Sequence, residues 1–248
     1  MSKTTCDSLF NGDLLCHQHT DGYRFSIDAV LLGHYVTTTY CKGRILDLCC
    51  GCGIIGLILA YRCTDVSITG MELQVKLAGL ALKNSVDNGL NDRVTIIQGD
   101  LKNISGYLDP ESIQAVVCNP PYGKQQAGRI NYSSEAAIAR HEISATLEDC
   151  VQAASFAVQN RGRVMFIYPS SQLPFLIQVL YSKKLVPKQI QPIYSYPEAS
   201  EAKLVIVDCV KNGGEQCALL PPLYIYCCKN GPYSPEVAAM YIQSEKRG

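Results

Sequence analysis

The sequence predicts an α/β domain: a mostly parallel sheet with helices on both faces and an antiparallel C-terminal part. Three observations carry this reading. First, four short apolar runs, "RILDLC" (44–49), "VSITGMEL" (66–73), "RVTIIQGD" (93–100) and "IQAVVCN" (113–119), alternate with segments of helical periodicity. Parallel strands need crossovers of a dozen or more residues, which helices supply. Second, the first run enters a glycine loop followed directly by an apolar helix. Third, long helical segments thin out after residue 185, where closely spaced strand-like runs predict antiparallel pairing.

The elements follow in order. The N-terminal stretch around His17 and His19 reads as a hairpin-like start, and Ser26 as the N-cap of a helix over about 27–37, with Ile27, Val30, Leu31 and Tyr35 at helical spacing. These first 40 residues form an extension. "IIGLILAYRC" (54–63) is a helix, and "QVKLAGLALKNSVDNGL" (74–90) is a second one with a C-cap signal at Gly89. The polar stretch 123–142 is a loop. "TLEDCVQAASFAVQN" (146–160) is helical and "RGRVMFIYP" (161–169) a strand; "SSQLPFLIQVLYSKK" (170–184) is a helix with Pro174 in its first turn. "LVPKQIQPIYSY", "AKLVIVDCVKN" and "LPPLYIYCC" read as antiparallel strands, and "SPEVAAMYIQSEK" as a closing helix.

Lysine plus arginine equals aspartate plus glutamate, 22 against 22, so no global field steers the protein to a polyanion; such a ligand would meet a local patch. No leader-like start and no run of about 18 uncharged apolar residues occurs, which predicts a cytoplasmic protein with no membrane span. The 13 cysteines sit mostly inside apolar runs and read as reduced core residues, with no metal. Cys49, Cys50 and Cys52 have the best claim to a metal, but they occupy a loop whose backbone is needed elsewhere. His17 and His19 read as satisfied or exposed side chains.

"LDLCCGCGIIG" places Gly51-x-Gly53-x-x-Gly56 between a strand and a helix, where glycines let the backbone approach a ligand and the helix N-terminus offers free N–H donors. Glu72 stands nineteen residues past Gly53 at a strand end, where a carboxylate can accept both ribose hydroxyls. NAD and S-adenosylmethionine are both permitted so far. Asp47, four residues before Gly51, gives a spacing suited to S-adenosylmethionine, and Asp100 follows the third strand, placed either to cap a helix or to accept from adenine N6.

In "VVCNPPYGKQQ" (116–126) the fourth strand breaks at Asn119-Pro120-Pro121-Tyr122. The prolines donate no main-chain hydrogen bond and fix φ, which leaves the Asn119 side-chain oxygen and the Pro120 carbonyl as acceptors. Two fixed acceptors suit a nitrogen carrying two hydrogens, an exocyclic adenine amine or a glutamine amide, and turn its lone pair towards a methyl sulfonium. Tyr122 can stack on a planar base.

The chain resembles the amino-methyltransferases with an Asn-Pro-Pro-Tyr motif. More closely, "YRFSIDAVLLGHYV", "ILDLCCGCGIIGLILA", "MELQ", "CNPPYGK" and "ARHEISATLEDCVQAA" resemble the bacterial enzymes that methylate N6 of the adenine at position 37 of a valine tRNA. The resemblance implies a Rossmann-like class I methyltransferase with a seven-stranded sheet, one domain over 1–248. It implies S-adenosylmethionine contacts from Asp28, Asp47, Gly51, Gly53, Glu72, Asp100, Leu101 and Asn119. It also implies a catalytic Asn119, Pro120, Pro121 and Tyr122, and tRNA as partner. One departure is Cys49, where the general loop has a third glycine.

For the RNA, Arg24, Lys124, Arg140 and Lys203 are the candidate phosphate contacts. A loop adenine is already unstacked enough to enter such a pocket. Two alternatives use the same residues: a glutamine-amide methyltransferase acting on protein, and a non-catalytic nucleotide- or RNA-binding module. No Pro-Cys nucleophile is present, which argues against carbon methylation of pyrimidines.

Overall fold

The computed structural model describes residues 4–20, 25–121 and 145–242. Its strands are β1 (Thr4–Leu9), β2 (Leu14–His19), β3 (Gly43–Leu48), β4 (Val66–Glu72), β5 (Val94–Gln98), β6 (Ile113–Cys118), β7 (Val158–Pro169), β8 (Leu185–Tyr194), β9 (Leu204–Lys211), and the two-residue β10 (Ala218–Leu219) and β11 (Leu223–Tyr224). Its helices are α1 (Ile27–Thr39), α2 (Ile54–Arg62), α3 (Val75–Asp87), α4 (Leu147–Ala157), α5 (Leu173–Ser182) and α6 (Pro235–Met240).

The sheet runs β10-β8-β9-β7-β6-β3-β4-β5, with β11 also paired to β8. β3, β4, β5, β6 and β7 are mutually parallel, and β9 lies antiparallel between β7 and β8. Seven full-length strands are thus extended by two short edge strands. Register aligns the strand ends: Leu48 pairs with both Met71 and Cys118, Glu72 with Gln98, and Cys118 with Phe166. The loops that leave β3, β4, β5 and β6 therefore share one edge, where open α/β sheets bind ligands.

One apolar cluster joins α1, α2 and α3 to one face of the sheet, and a second joins α4 and α5 to the other. The β3, β6 and β7 runs lack polar alternation because both faces are covered. The predicted hairpin is β1–β2, antiparallel from Thr4↔His19 to Leu9↔Leu14.

Several boundaries differ from the sequence reading. α4 stops at Ala157 and β7 begins at once at Val158, because Val158 pairs with Ile113 before a register shift. β10 and β11 pair parallel with β8, not antiparallel. Pro221 and Pro222 remove two donors from the expected strand "LPPLYIYCC", which shrinks to Leu223–Tyr224 and a bridge between Tyr226 and Tyr233. The closing helix spans only Pro235–Met240 among the described residues. Ser26 holds the extended N-cap backbone of α1, but its side chain makes no cap bond and instead hydrogen-bonds Asp28.

The cysteines also depart from expectation. Cys41 and Cys63 form a disulfide with Cα atoms 5.5 Å apart, and 11 are free. The fold brings the segment after α1 beside the end of α2, a proximity that cysteine spacing does not announce. No described helix is long and apolar enough to cross a membrane.

Candidate functional site

The β3–α2 loop is held from several sides. Cys50 N donates to Met71 O (3.1 Å), and Gly53 N to Cys50 O (2.8 Å). Gly53 adopts φ +83° as the residue that opens α2, a left-handed conformation costly for a residue with a Cβ. Gly56 lets α2 lie against β4, since a Cβ there would sit 2.9 Å from Ile68 Cγ2. Cys49 has φ +58°, so the departure from a third glycine places a side chain in a region that glycine occupies without strain.

Glu72 closes β4 and is 6% exposed. Its Oε2 accepts from Gly51 N at 3.0 Å and its Oε1 from Gln74 N at 2.9 Å. Burial raises its pKa against the lowering by these N–H donors. The carboxylate thus braces the glycine loop and the start of α3 together.

Asp47 is 1% exposed. Its Oδ2 accepts from Gly56 N at 3.2 Å, while Oδ1 has no hydrogen-bond partner among the described residues. Burial pushes this carboxyl up to about 8. A buried acceptor without a donor calls for a ligand group that brings one.

Asp100 follows β5, and its Oδ1 accepts from Lys102 N at 2.9 Å, capping the 3-10 turn Leu101–Gly106. The capping role weighed in the sequence is therefore realised. Leu101 is buried beneath it. Asp28 lies half-buried in the first turn of α1, its pKa raised by burial, with Lys203 near enough to oppose that shift. Asn119 and Pro120 follow β6 at the same edge, Asn119 half-buried, Pro120 buried and Pro121 exposed. Tyr122, Lys124, Arg140 and Arg24 lie outside the described residues.

Beside this edge, the β8–β9 loop carries an open surface pocket of about 240 Å³ lined by Ser195, Tyr196, Ser200, Glu201 and Lys203. The structure thus brings Asp47, Gly51, Gly53, Glu72, Asp100 and Asn119 to one edge, with Asp28 and Lys203 close to each other.

The sequence reading missed Asn84. On α3 it is fully buried; its Nδ2 donates to Cys52 O (2.9 Å) and His17 O (3.1 Å), and its Oδ1 accepts from His17 N (2.8 Å). It ties the glycine loop to β2. The signal was available: an amide in register with Leu77, Leu80 and Ala81 on the buried stripe of α3.

The arrangement fits a nucleoside cofactor with a cationic amino acid end: acidic side chains at successive strand ends, an orphaned buried acceptor, and a loop with left-handed glycines. Comparisons with known proteins agree. Residues 26–142 match the methyltransferase small domain family. A protein of Aliivibrio fischeri (strain ATCC 700601 / ES114) named tRNA1(Val) (adenine(37)-N6)-methyltransferase is 29% identical over 185 residues, 75% of this chain and 76% of its own. One of the same name from Porphyromonas gingivalis (strain ATCC BAA-308 / W83) is 27% identical over 188 residues, 73% of this chain and 72% of its own. Among solved structures, a predicted O-methyltransferase from Agrobacterium tumefaciens superposes with TM-score 0.69 at 21% identity, covering 86% of this chain and 95% of that one. Geranyl diphosphate C-methyltransferase from Streptomyces coelicolor A3(2) superposes with TM-score 0.52 at 12% identity, covering 73% and 77%. Over residues 26–142 this chain is therefore similar to the methyltransferase small domain family.

Proposed function

We propose that the protein, read as one domain over 1–248, transfers a methyl group from S-adenosylmethionine to N6 of an adenine in tRNA, at position 37 of a valine tRNA. The observation that carries this reading is the placement of Asn119-Pro120-Pro121 at the same sheet edge as the braced loop of Asp47, Gly51, Gly53 and Glu72. The relatives named for that reaction supply the substrate. The cofactor supplies an electrophilic methyl on a sulfonium.

The chain's own residues do the rest. Asp47 Oδ1 accepts from the cofactor's ammonium, Glu72 and Asp100 from its ribose and adenine, and Asp28 and Leu101 line its site. The Asn119 oxygen and the Pro120 carbonyl accept the two N6 hydrogens, which pyramidalises the amine and aims its lone pair; Pro121 stiffens the turn. Tyr122 stacks on the base. Lys203, on the loop flanking this edge, meets a phosphate together with Arg24, Lys124 and Arg140. The reaction belongs to the cytoplasm, where tRNA is used and where Cys41 and Cys63 would be held as thiols.

The test is mass spectrometry of total tRNA incubated with the protein and labelled S-adenosylmethionine. The expected product is N6-methyladenosine at one position. Asn119→Ala should lower turnover on the order of 10²–10³-fold while leaving cofactor affinity largely intact. Unchanged turnover would overturn the proposed role of Asn119, and methylation of a glutamine peptide in place of tRNA would overturn the substrate.

A further inference from the structure

Three thiols from three elements converge behind the proposed catalytic edge. Cys49 opens the glycine loop, Cys118 ends β6 immediately before Asn119, and Cys150 lies in the first turn of α4. Their sulfurs all lie within 4.8 Å of one another, and Cys49 Sγ to Cys150 Sγ is 3.9 Å. The sequence reading expects no metal and, among the cysteines, gives the best claim to Cys49, Cys50 and Cys52. The fold separates these, since Cys52 Sγ faces Cys16 Sγ at 3.6 Å while Cys49 turns to the other face.

We infer that Cys49, Cys118 and Cys150 form a binding site for a thiophilic divalent cation of the zinc class. Zinc thiolate bonds of about 2.3 Å in tetrahedral geometry set the sulfurs about 3.8 Å apart, so the triad needs only a contraction of about 1 Å or less. Cys118 and Cys150 are fully buried, and half-buried Cys49 leaves the solvent side from which an ion and a water as fourth donor can enter. Loading breaks three S–H bonds and forms three S–metal bonds, and the three protons leave to buffer. The product carries one net negative charge, favoured by the N-terminal turn of α4. The left-handed backbone of Cys49 is a second sign of a built arrangement: a glycine would relieve that strain, but the cysteine keeps its sulfur on the other two.

The ion would fix both the entrance to the glycine loop and the residue before Asn119, so loading should silence the enzyme. That consequence rests on the methyl-transfer reading; the metal site does not.

The test uses the full chain, prepared free of metal and without reductant, titrated with zinc against a chromophoric chelator. Wild type and the double variant Cys227→Ser/Cys228→Ser, which removes two exposed thiols, should each hold one competitive equivalent, and Cys150→Ser should lose it while still melting cooperatively. X-ray absorption of wild type carrying one equivalent should count three sulfur neighbours, a reading that does not depend on any variant folding. The inference is overturned by fewer than three sulfurs, by retention of the equivalent in Cys150→Ser, or by its loss in the double variant. If zinc binds as described and methylation is unaffected, the site stands and the silencing is refuted.

Discussion

Glu72 Oε2 accepts from Gly51 N at 3.0 Å, so the carboxylate that ends β4 and the tightest part of the β3–α2 loop move as one body. Its other oxygen holds Gln74 N. Glu72→Ala removes both charge-assisted bonds, each worth about 1.5–3 kcal/mol. The expected result is a lower melting temperature together with at least about tenfold weaker binding of S-adenosylmethionine, since each 1.4 kcal/mol is tenfold. Calorimetric titration and thermal melts check both.

Asp47 makes stability and binding depend on pH in opposite senses. Its carboxyl titrates at about 8 in the folded chain and at an ordinary 3.8 when unfolded. Between those values the folded protein keeps a proton that the unfolded chain releases, so its contribution to stability falls as pH rises. Asp47→Asn should flatten that slope in urea melts across pH 5–8. A cofactor ammonium beside Oδ1 would favour the carboxylate, so binding should release a proton below pH 8 and weaken as pH falls. Titration calorimetry in two buffers of different ionisation enthalpy reads the proton directly; Asp47→Asn should bind more weakly and release none.

Asn84→Ala would strip partners from the Cys52 carbonyl and from both backbone groups of His17. A loss of about 2–4 kcal/mol in urea unfolding is expected, because buried polar groups would be left unpaired. Cofactor affinity should fall with it, since Cys52 lies within the glycine loop.

Arg163 and Asp208 form an ion pair between β7 and β9, with Asp208 fully buried and Tyr35 Oη also 3.1 Å from its Oδ2. Arg163→Met should cost about 3–5 kcal/mol by leaving the carboxylate uncompensated. The double variant Arg163→Met/Asp208→Leu should recover most of it in the same denaturant titration, and a double variant as unstable as the single would refute the account.

Local chemistry explains what the sequence disclosed. The glycine loop, the acids at strand ends and the break at Asn119-Pro120-Pro121 are each written within a few residues, because backbone turns and ligand donors at a parallel sheet edge come from consecutive positions. Gly89 likewise takes the left-handed conformation that its C-cap signal predicted. Features that depend on register between distant segments were not legible. Asn84 reaches 67 residues back to His17, Cys49 meets Cys150 across 101, and Arg163 finds Asp208 across 45. The parallel pairing of β10 and β11 was hidden because two-residue strands carry no periodicity.

The Cys41–Cys63 bridge encloses β3, the glycine loop and α2 in a covalent ring closed by cysteines 22 positions apart. Such a ring restricts the unfolded chain by about 3 kcal/mol in the loop-entropy description. A protease that cuts inside it leaves the two pieces joined until a reductant is added. Protein purified in air and protein kept in dithiothreitol would therefore be distinct species of one sequence, with different melting points.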